Sequence, residues 1–394
     1  MKSTMVKKRK RLSLITAALI LAACDSGPAR PDGTLTILSW NVQALFDGKN
    51  DGNEYAEYRE AAGWNSEKYR NRLNNMASAL KHAFASFSPY GGENADAVTP
   101  AGDLPDILVF IEVENGLILE DMAKLPGMGV YRHSFFGRAG DASLGLGVLS
   151  RYPITGGRTH SAHQYGAETP RPVAEVRIDA GAPLVLLACH WKSKLGGAEE
   201  TEAQRRAAAA VVNRLLAEIA AETPRLPVIV LGDLNENHDE AERVGGAYVC
   251  ALMNESAAGD LRETGSAAVN ASGANRRGGR SRQNPASPRA GFRDYLILSE
   301  KPPAPERGDD VLYSPWMDGG WQGLGSYYYG DEWETIDHLL FDAACFDGAG
   351  WDFGAFGVVA APPFTGGGVP DAYNPRTGNG LSDHLPLAAT LILR

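Results

Sequence analysis

Cysteine is scarce in this chain of 394 residues: Cys24, Cys189, Cys250 and Cys345 are the full set. No Cys-x-x-Cys pair and no His-rich tract occurs, which removes the spacing of structural zinc sites and dithiol redox centres. With Cys24 set aside, three thiols allow at most one internal disulfide. Cys250–Cys345 is the candidate in an oxidising envelope, while Cys189, inside a strand-like run, reads as a buried free thiol. Repeats of fixed period are absent too. The apolar run Leu12–Leu21 is too short to span a bilayer comfortably. Positive charge is in short supply: 38 Lys and Arg against 48 Asp and Glu give −10. Six of those cations (Lys2, Lys7, Lys8, Arg9, Lys10, Arg11) crowd the N-terminus with no acid among them, so residues 24–394 hold 32 against 48, or −16. That balance excludes tight adhesion to nucleic acid through the whole surface. It leaves room for a local basic groove, or for acids gathered around a metal.

What the N-terminus does have is a basic head, a short apolar core and small residues before a cut site, the build of an export signal. Cys24 directly after Leu21-Ala22-Ala23 resembles a bacterial lipoprotein box. The resemblance implies cleavage before Cys24, lipid on its thiol and new amine, and anchoring in the cell envelope; buried methylenes contribute about 0.8 kcal/mol each. Ordinary secretion or an uncleaved anchor are the alternatives. Residues 24–33, with Gly27, Pro28, Pro31 and Gly33, read as a tether. Strand-like and helix-like stretches interleave from residue 34 to 394 with no domain-sized linker, which favours one large α/β domain. Its loop insertions are expected at about 245–293, 300–333 and 347–380.

The chemistry-bearing residues stand at the ends of apolar runs. Val228–Leu231 is a short, β-branched run of buried-strand character, followed by Gly232, Asp233 and Asn235. Strand tips are where α/β folds place their reactive groups. A carboxylate and an amide at alternating positions can aim at one ligand, although a polar turn has the same composition. Leu35–Trp40 precedes Asn41. Asp106–Val113 carries Glu112 inside its apolar run, where an ionised carboxylate needs a cation or hydrogen bonds; metal ligation and a buried salt bridge are the two readings. Val173–Ile178 and Leu184–Cys189 read as a hairpin turning at Ala180-Gly181. Its second strand ends in His190, followed by Lys192, Lys194 and Gly196-Gly197, a candidate phosphate cradle. Helices are expected over Ser66–Phe84 and Glu202–Glu222, the second carrying Arg205 near its start. Ala257–Arg293, rich in Gly, Ser and Arg, reads as a solvated loop or as a basic arm for a polyanion. The aromatics between Trp316 and Trp333 either cover a core or stack on bases and sugars. Thr335–Phe341 is a strand carrying Asp337 and His338, Trp351–Gly380 a loop, and Asp383-His384 introduces a last strand, Leu387–Leu393.

Taken together and in order, Trp40-Asn41-Val42, Ile111–Asn115, Ser150–Ile154, Cys189–Lys194, Gly232–Asn235, Ile336–His338 and Ser382–Pro386 resemble the endonuclease/exonuclease/phosphatase superfamily of DNase I-like and exonuclease III-like enzymes. The resemblance spans nearly all of residues 34–394 and is nearer to extracellular nuclease-like members than to inositol phosphatases. It implies a four-layer α/β sandwich, two packed mixed β-sheets flanked by helices, with strand-end loops lining one cleft. It also implies Mg²⁺ or Mn²⁺ at Asn41 and Glu112 with help from Asp383, and a structural Ca²⁺ is a further expectation. His190 is implied to contact phosphate or protonate the leaving oxygen. Asp233 and Asn235 are implied to orient the nucleophile and hold phosphate, and Asp337 to pair with His384 as the base. Lys192, Lys194, Arg205, Arg151 and Tyr152 are weaker candidates for substrate phosphate.

The chemistry fits without the family. A hard, oxygen-liganded cation offsets charge on a phosphodiester, and a histidine oriented by an aspartate can take a proton from water near neutral pH. Which of His190 and Asp233 protonates the leaving oxygen stays open. The expected activity is metal-dependent phosphodiester hydrolysis of DNA or RNA at or outside the envelope. The alternatives are a lipid-headgroup phosphodiesterase or phosphatase, and a non-catalytic surface binding lipoprotein.

Overall fold

The computed structural model describes residues 33–83, 104–140, 142–161, 171–264, 292–304, 311–318 and 323–394. Cys24, the signal and most of the Arg-rich stretch before Arg293 lie outside the described residues. In chain order the first elements are β1 (Thr34–Leu45), α1 (Ser66–Ala83), β2 (Ile107–Val113), α2 (Gly116–Lys124), β3 (His133–Gly137), β4 (Gly145–Ser150) and β5 (Ile154–His160). Next come β6 (Val173–Asp179), β7 (Pro183–His190), α3 (Ala198–Glu222), β8 (Val228–Asp233), α4 (Glu240–Arg243), β9 (Leu252–Asn254) and α5 (Glu255–Thr264). The remainder is β10 (Leu296–Ser299), β11 (Val311–Tyr313), β12 (Tyr327–Tyr329), β13 (Glu332–Glu334), β14 (Asp337–Phe341), β15 (Trp351–Val358), β16 (Thr365–Gly366), β17 (Val369–Pro370) and β18 (Leu387–Leu393).

Two mixed sheets carry the fold. One runs β15-β18-β1-β2-β4-β3, the other β5-β6-β7-β8-β14-β11-β10-β9. The period-2 alternation of strand side chains sorts the second sheet into two faces. Leu184, Leu186 and Ala188 of β7, Ile229 and Leu231 of β8, and Leu339 and Phe341 of β14 belong to the core shared with the first sheet. Val185, Leu187 and Cys189, with Val228, Val230 and Leu340, turn the other way and meet Val211, Val212, Leu215 and Ile219 of α3. α1 (Tyr69, Leu73, Met76, Leu80) and α2 (Ile118, Leu119, Met122) join the cluster that holds the first sheet. The result is the expected sandwich of two packed sheets with helices outside.

One open possibility is decided and two expectations need correction. Cys250 and Cys345 are not bridged; both are buried free thiols in separate packed clusters. Trp351–Gly380 is not loop throughout: Trp351–Val358 is a strand paired antiparallel with β18. Its apolar pattern is broken by Gly354, where a Cβ would meet the Thr390 carbonyl at 2.9 Å beside a bulge. The segments 245–293 and 300–333 likewise contribute β9, α5, β11 and the β12–β13 hairpin rather than loop alone.

Candidate active site

The first sheet supplies one wall through a matched pair of bulges. β1 and β2 run parallel, and the register slips between Asn41 and Leu45. β2 slips against β4 between Ile111 and Val113. There Gln43, Ala44 and Glu112 take φ of 52°, 55° and 72°, a left-handed backbone uncommon for residues bearing side chains. Bulges re-aim side chains, and this one turns Glu112 to the strand ends. Ala44 N–H donates to Glu112 Oε2 at 2.8 Å. Asn41 Nδ2 donates to Asp233 Oδ2 at 3.0 Å and lies 3.4 Å from Glu112 Oε1. Arg72 of α1, fully buried, braces the bulge by donating to the carbonyls of Val42, Gln43 and Ala44. Its guanidinium lies 3.8 Å from the centre of the Tyr373 ring.

The second sheet lines up three more groups on one row. His190 of β7 and Asp337 of β14 both pair with Asp233 of β8. Gly232, at φ 122°, lets the strands close up just before that row: a Cβ there would fall 2.1 Å from the Cys189 carbonyl oxygen. Asp233 Oδ1 accepts from Asn235 N–H at 2.9 Å, and Asn235 Nδ2 donates to the Trp191 carbonyl at 3.1 Å.

His384 arrives from the loop before β18 and is fixed at both ends. Ser382 Oγ donates to the Asn41 carbonyl (2.6 Å) and accepts from His384 N–H (3.1 Å), while Trp40 Nε1 donates to the His384 carbonyl (2.9 Å). The His384 Nδ1 lies 2.7 Å from Asp337 Oδ2, which also accepts from Ser326 Oγ at 2.7 Å. With Nδ1–H given to the carboxylate, Nε2 is left for chemistry; it lies 3.9 Å from Asp383 Oδ1. Across the cleft His190 Nε2 sits 3.4 Å from Glu112 Oε1 and 3.6 Å from Asp233 Oδ2.

Electrostatics separate the two imidazoles. Burial, reinforced by Arg171 and His384, holds His190 well below the ordinary histidine range. Burial would lower His384 as well, but the charge and hydrogen bond of Asp337, joined by Asp383 and Asp233, outweigh it and hold the ring well above that range. Burial and then Asp337 push the Asp233 carboxyl up to about 7. An acid held that high is a group missing a positive neighbour.

Asn41, Glu112, His190, Asp233, Asn235, Asp337 and His384 are thus brought together, with Asp383 at the rim. The weaker phosphate candidates are not. Arg205, on the buried face of α3, is fully buried and spent on Glu202 and Glu236. Lys194 is ion-paired with Glu240 at 2.6 Å. Lys192 folds back on the carbonyls of Ser193 and Leu195. Arg151 lies at the opposite end of the first sheet, 3.4 Å from Asp106, because Ser150 pairs with Ile107 at the start of β2. Tyr152 is buried in the core. Asn115, part of the motif that carries Glu112, is the N-cap of α2, accepting from Leu117 and Ile118 N–H.

Several functional neighbours were not singled out from the sequence. Arg171 lines a small cleft with His190, Tyr55 and Leu144 and donates to the Trp191 carbonyl. Ser326 braces Asp337, while Tyr327, one of the aromatics weighed above for stacking, has its ring 4.7 Å from that of His384. Ser382 lies inside the Ser382–Pro386 motif and Gln43 directly follows Trp40-Asn41-Val42, but neither carries a role in the sequence reading.

The hard donors facing this space are Glu112 Oε1 and the carboxylates of Asp233 and Asp337; one ligand atom each from Asp233, Asp337 and His384 lie within 4.8 Å of one another. The sequence model of the Endonuclease/Exonuclease/phosphatase family matches residues 38–384. The chain belongs to that family. Its members are generally metal-dependent phosphoesterases, nucleases and phosphatases among them, and usually use Mg²⁺ or Mn²⁺.

No curated protein matches the chain significantly. Among solved structures, a Bacteroides thetaiotaomicron endonuclease/exonuclease/phosphatase family protein is 15% identical at a TM-score of 0.49, covering 92% of this chain and 95% of its own. Truncated Caenorhabditis elegans TDP2 is 14% identical at 0.48, covering 91% and 97%. The human Nocturnin catalytic domain with bound sulfate is 13% identical at 0.43, covering 92% and 95%. At such distances neither their ligands nor their residue roles carry over to this chain.

Proposed function

We propose that this family member is a Mg²⁺- or Mn²⁺-dependent phosphodiesterase that cleaves polynucleotides at or outside the cell envelope, tethered there by lipid on Cys24. The observation that carries the activity is the Asp337–His384 pair facing His190 across Glu112 and Asp233. The donor set fits a hard cation. Glu112 Oε1 has only long contacts, 3.4 Å from both Asn41 Nδ2 and His190 Nε2, and the buried Asp233 carboxyl stands high for want of positive charge. Glu112 would hold the ion, with Asp383 at the rim; Asn41 would join through Oδ1, which now accepts from Gln43 N–H while Nδ2 faces Glu112 and Asp233, and a bound Mg²⁺ would offset charge on the phosphate oxygens.

The remaining work falls to the chain. Asp337 fixes the His384 ring through Nδ1; the charges of Asp337, Asp383 and Asp233 favour its imidazolium, so a cation that offset those carboxylates would free Nε2 to take the water proton. His190, held neutral by burial, donates one hydrogen bond to phosphate without adding charge. Protonation of the departing oxygen falls to His190 or Asp233, which lie 3.6 Å apart at the same end of the cleft. Asn235 is locked by Trp191 to present its amide at the same point.

The polynucleotide substrate rests on the aromatic rim. Tyr327 and Tyr329 lie nearly parallel, centroids 6.3 Å apart at 13°; Tyr327 is the ring beside His384, and Tyr329, two-thirds exposed, stands next to it on the outer side. Such a ladder stacks bases without reading sequence. The test is a substrate panel on the purified protein: DNA, RNA, sphingomyelin, a phosphoinositide and a small aryl phosphodiester, each with Mg²⁺, Mn²⁺ or chelator. Cleavage of polynucleotide that chelator abolishes is expected. Tyr329→Ala should raise KM for polynucleotide by about 5- to 100-fold, the worth of one stacked base, and leave the aryl diester unchanged. Turnover of lipid headgroups alone would select a lipid phosphodiesterase, and chelator-resistant cleavage would remove the metal.

A further inference from the structure

The loop after β1 carries a second group of acids that the catalytic reading does not use. We propose that Asp51, Glu54 and Glu114 form a structural site for a divalent cation of the calcium type, separate from the catalytic cleft. Each turns one carboxylate oxygen to within 4.8 Å of the other two. Crowded acids alone are no site, but Glu114 adds an independent sign. Its side chain is 2% exposed, and while Oε2 accepts from Asp47 N–H at 2.7 Å, Oε1 has no hydrogen-bond partner among the described residues. A buried carboxylate oxygen left bare is costly, and a cation is the partner that would relieve it.

The surroundings suit calcium better than magnesium. Glu54 is buried and pulls the loop around itself, accepting from Asp51 N–H at 2.5 Å and from Gly52 N–H with both oxygens. Asp51 is exposed, so water can complete the shell. Carboxylates on an adaptable loop with solvent on one side match the six to eight oxygens that Ca²⁺ accepts, whereas Mg²⁺ demands a rigid octahedron. The ammonium of Lys49 lies 4.0 Å from Asp47 and is mostly exposed, free to swing aside. Such an ion would pin residues 47–54 to the end of β2. That loop continues directly from Gln43 and Ala44, whose bulge aims Glu112, so the ion would stiffen the catalytic wall without touching substrate.

Terbium luminescence reads this site independently of activity. Trp64 donates Nε1 to the Asp47 carbonyl at 2.5 Å and so stands beside the loop as an energy donor. In excess Mg²⁺, Tb³⁺ emission excited through tryptophan should appear, be displaced by Ca²⁺, and persist in Glu112→Gln. It should fall at least ~5-fold in Asp51→Asn and in Glu54→Gln. Ca²⁺ added over Mg²⁺ should raise the melting midpoint of the wild type by about 2–4 °C and that of Asp51→Asn not at all. Should Glu54→Gln fail to fold, the exposed Asp51→Asn decides. Emission unchanged in Asp51→Asn, or lost in Glu112→Gln instead, overturns the proposal. Neither outcome depends on whether the protein hydrolyses phosphodiesters.

Discussion

Two ionic clusters come near one another on the chain only at Asp233 and Glu236, and they are built on opposite plans. On the buried face of α3, Arg205 gathers Glu202 of the same helix and Glu236, donating to Glu236 Oε1 at 2.8 Å and to Glu202 Oε2 at 2.6 Å. The same guanidinium reaches Thr201 Oγ1 and the carbonyls of Lys192 and Ala198. Burial and the neighbouring Glu202 hold Glu236 well above the carboxylate range, so one proton and one guanidinium balance two acids. The cleft gathers Glu112, Asp233, Asp337 and Asp383, and the ion pairs these make with described residues are to His190 and His384. In the first cluster both acids are held by the guanidinium, with Glu202 Oε1 the one carboxylate oxygen there that has no hydrogen-bond partner among the described residues; the second leaves charge for something from outside. A buried acid therefore points to function only when its compensation is incomplete, and Arg205, close to His190 in sequence, belongs to the closed kind.

The sharpest way to break that contrast is at the dyad. His384→Ala should lower hydrolysis by about 10³- to 10⁴-fold with an unchanged circular dichroism spectrum; a variant that cleaves normally would take the base away from His384. Next is a crossed pair. Asp233→Asn should abolish most activity yet raise the melting midpoint in metal-free buffer, because it removes an acid whose burial is not offset. Arg205→Met should do the reverse, costing roughly 3–5 kcal/mol by stranding two buried carboxyls while the folded fraction keeps most of its turnover. If both variants move stability the same way, the distinction between the clusters is wrong.

The smallest effect concerns an edge arrangement of the closed kind. A hydrogen bond from His160 and another from Arg177 bring Glu175 down to about 2 despite burial. A carboxyl lowered in the folded state adds stability above its unfolded range and loses it as pH falls. Acid titration should therefore cost the wild type on the order of 1–3 kcal/mol between about pH 4.5 and 2, and Glu175→Gln should flatten that limb.

Much of this was legible in the residues. Asp106–Val113 and Val228–Asp233 announce buried strands through unbroken apolar runs, and a carboxylate at the end of such a run needs a reason that a surface acid does not. Strand tips therefore yielded Asn41, Glu112, His190, Asp233 and His384. What stayed hidden depends on pairing across long stretches of chain. The bulge that turns Glu112 is a register slip between β1 and β2, and no local composition encodes it. β15 reads as loop because of its glycines, of which Gly354 is needed for the close approach of β18. α2 was missed because Asn115, its cap, had been absorbed into a catalytic motif. Proximity in sequence favoured Arg205 over Arg171, yet β6 begins just after Arg171 and runs antiparallel to β7, which delivers it beside His190.

The cleft draws Asn41, Glu112 and His384 from one sheet and His190, Asp233 and Asp337 from the other. Between those halves lies mostly hydrocarbon, whose grip is non-directional. Turnover is thus a gauge of how the layers are aligned. Heating or mild denaturant should silence it through a slip of a fraction of an ångström, while each layer, read by its own backbone signal, still looks native.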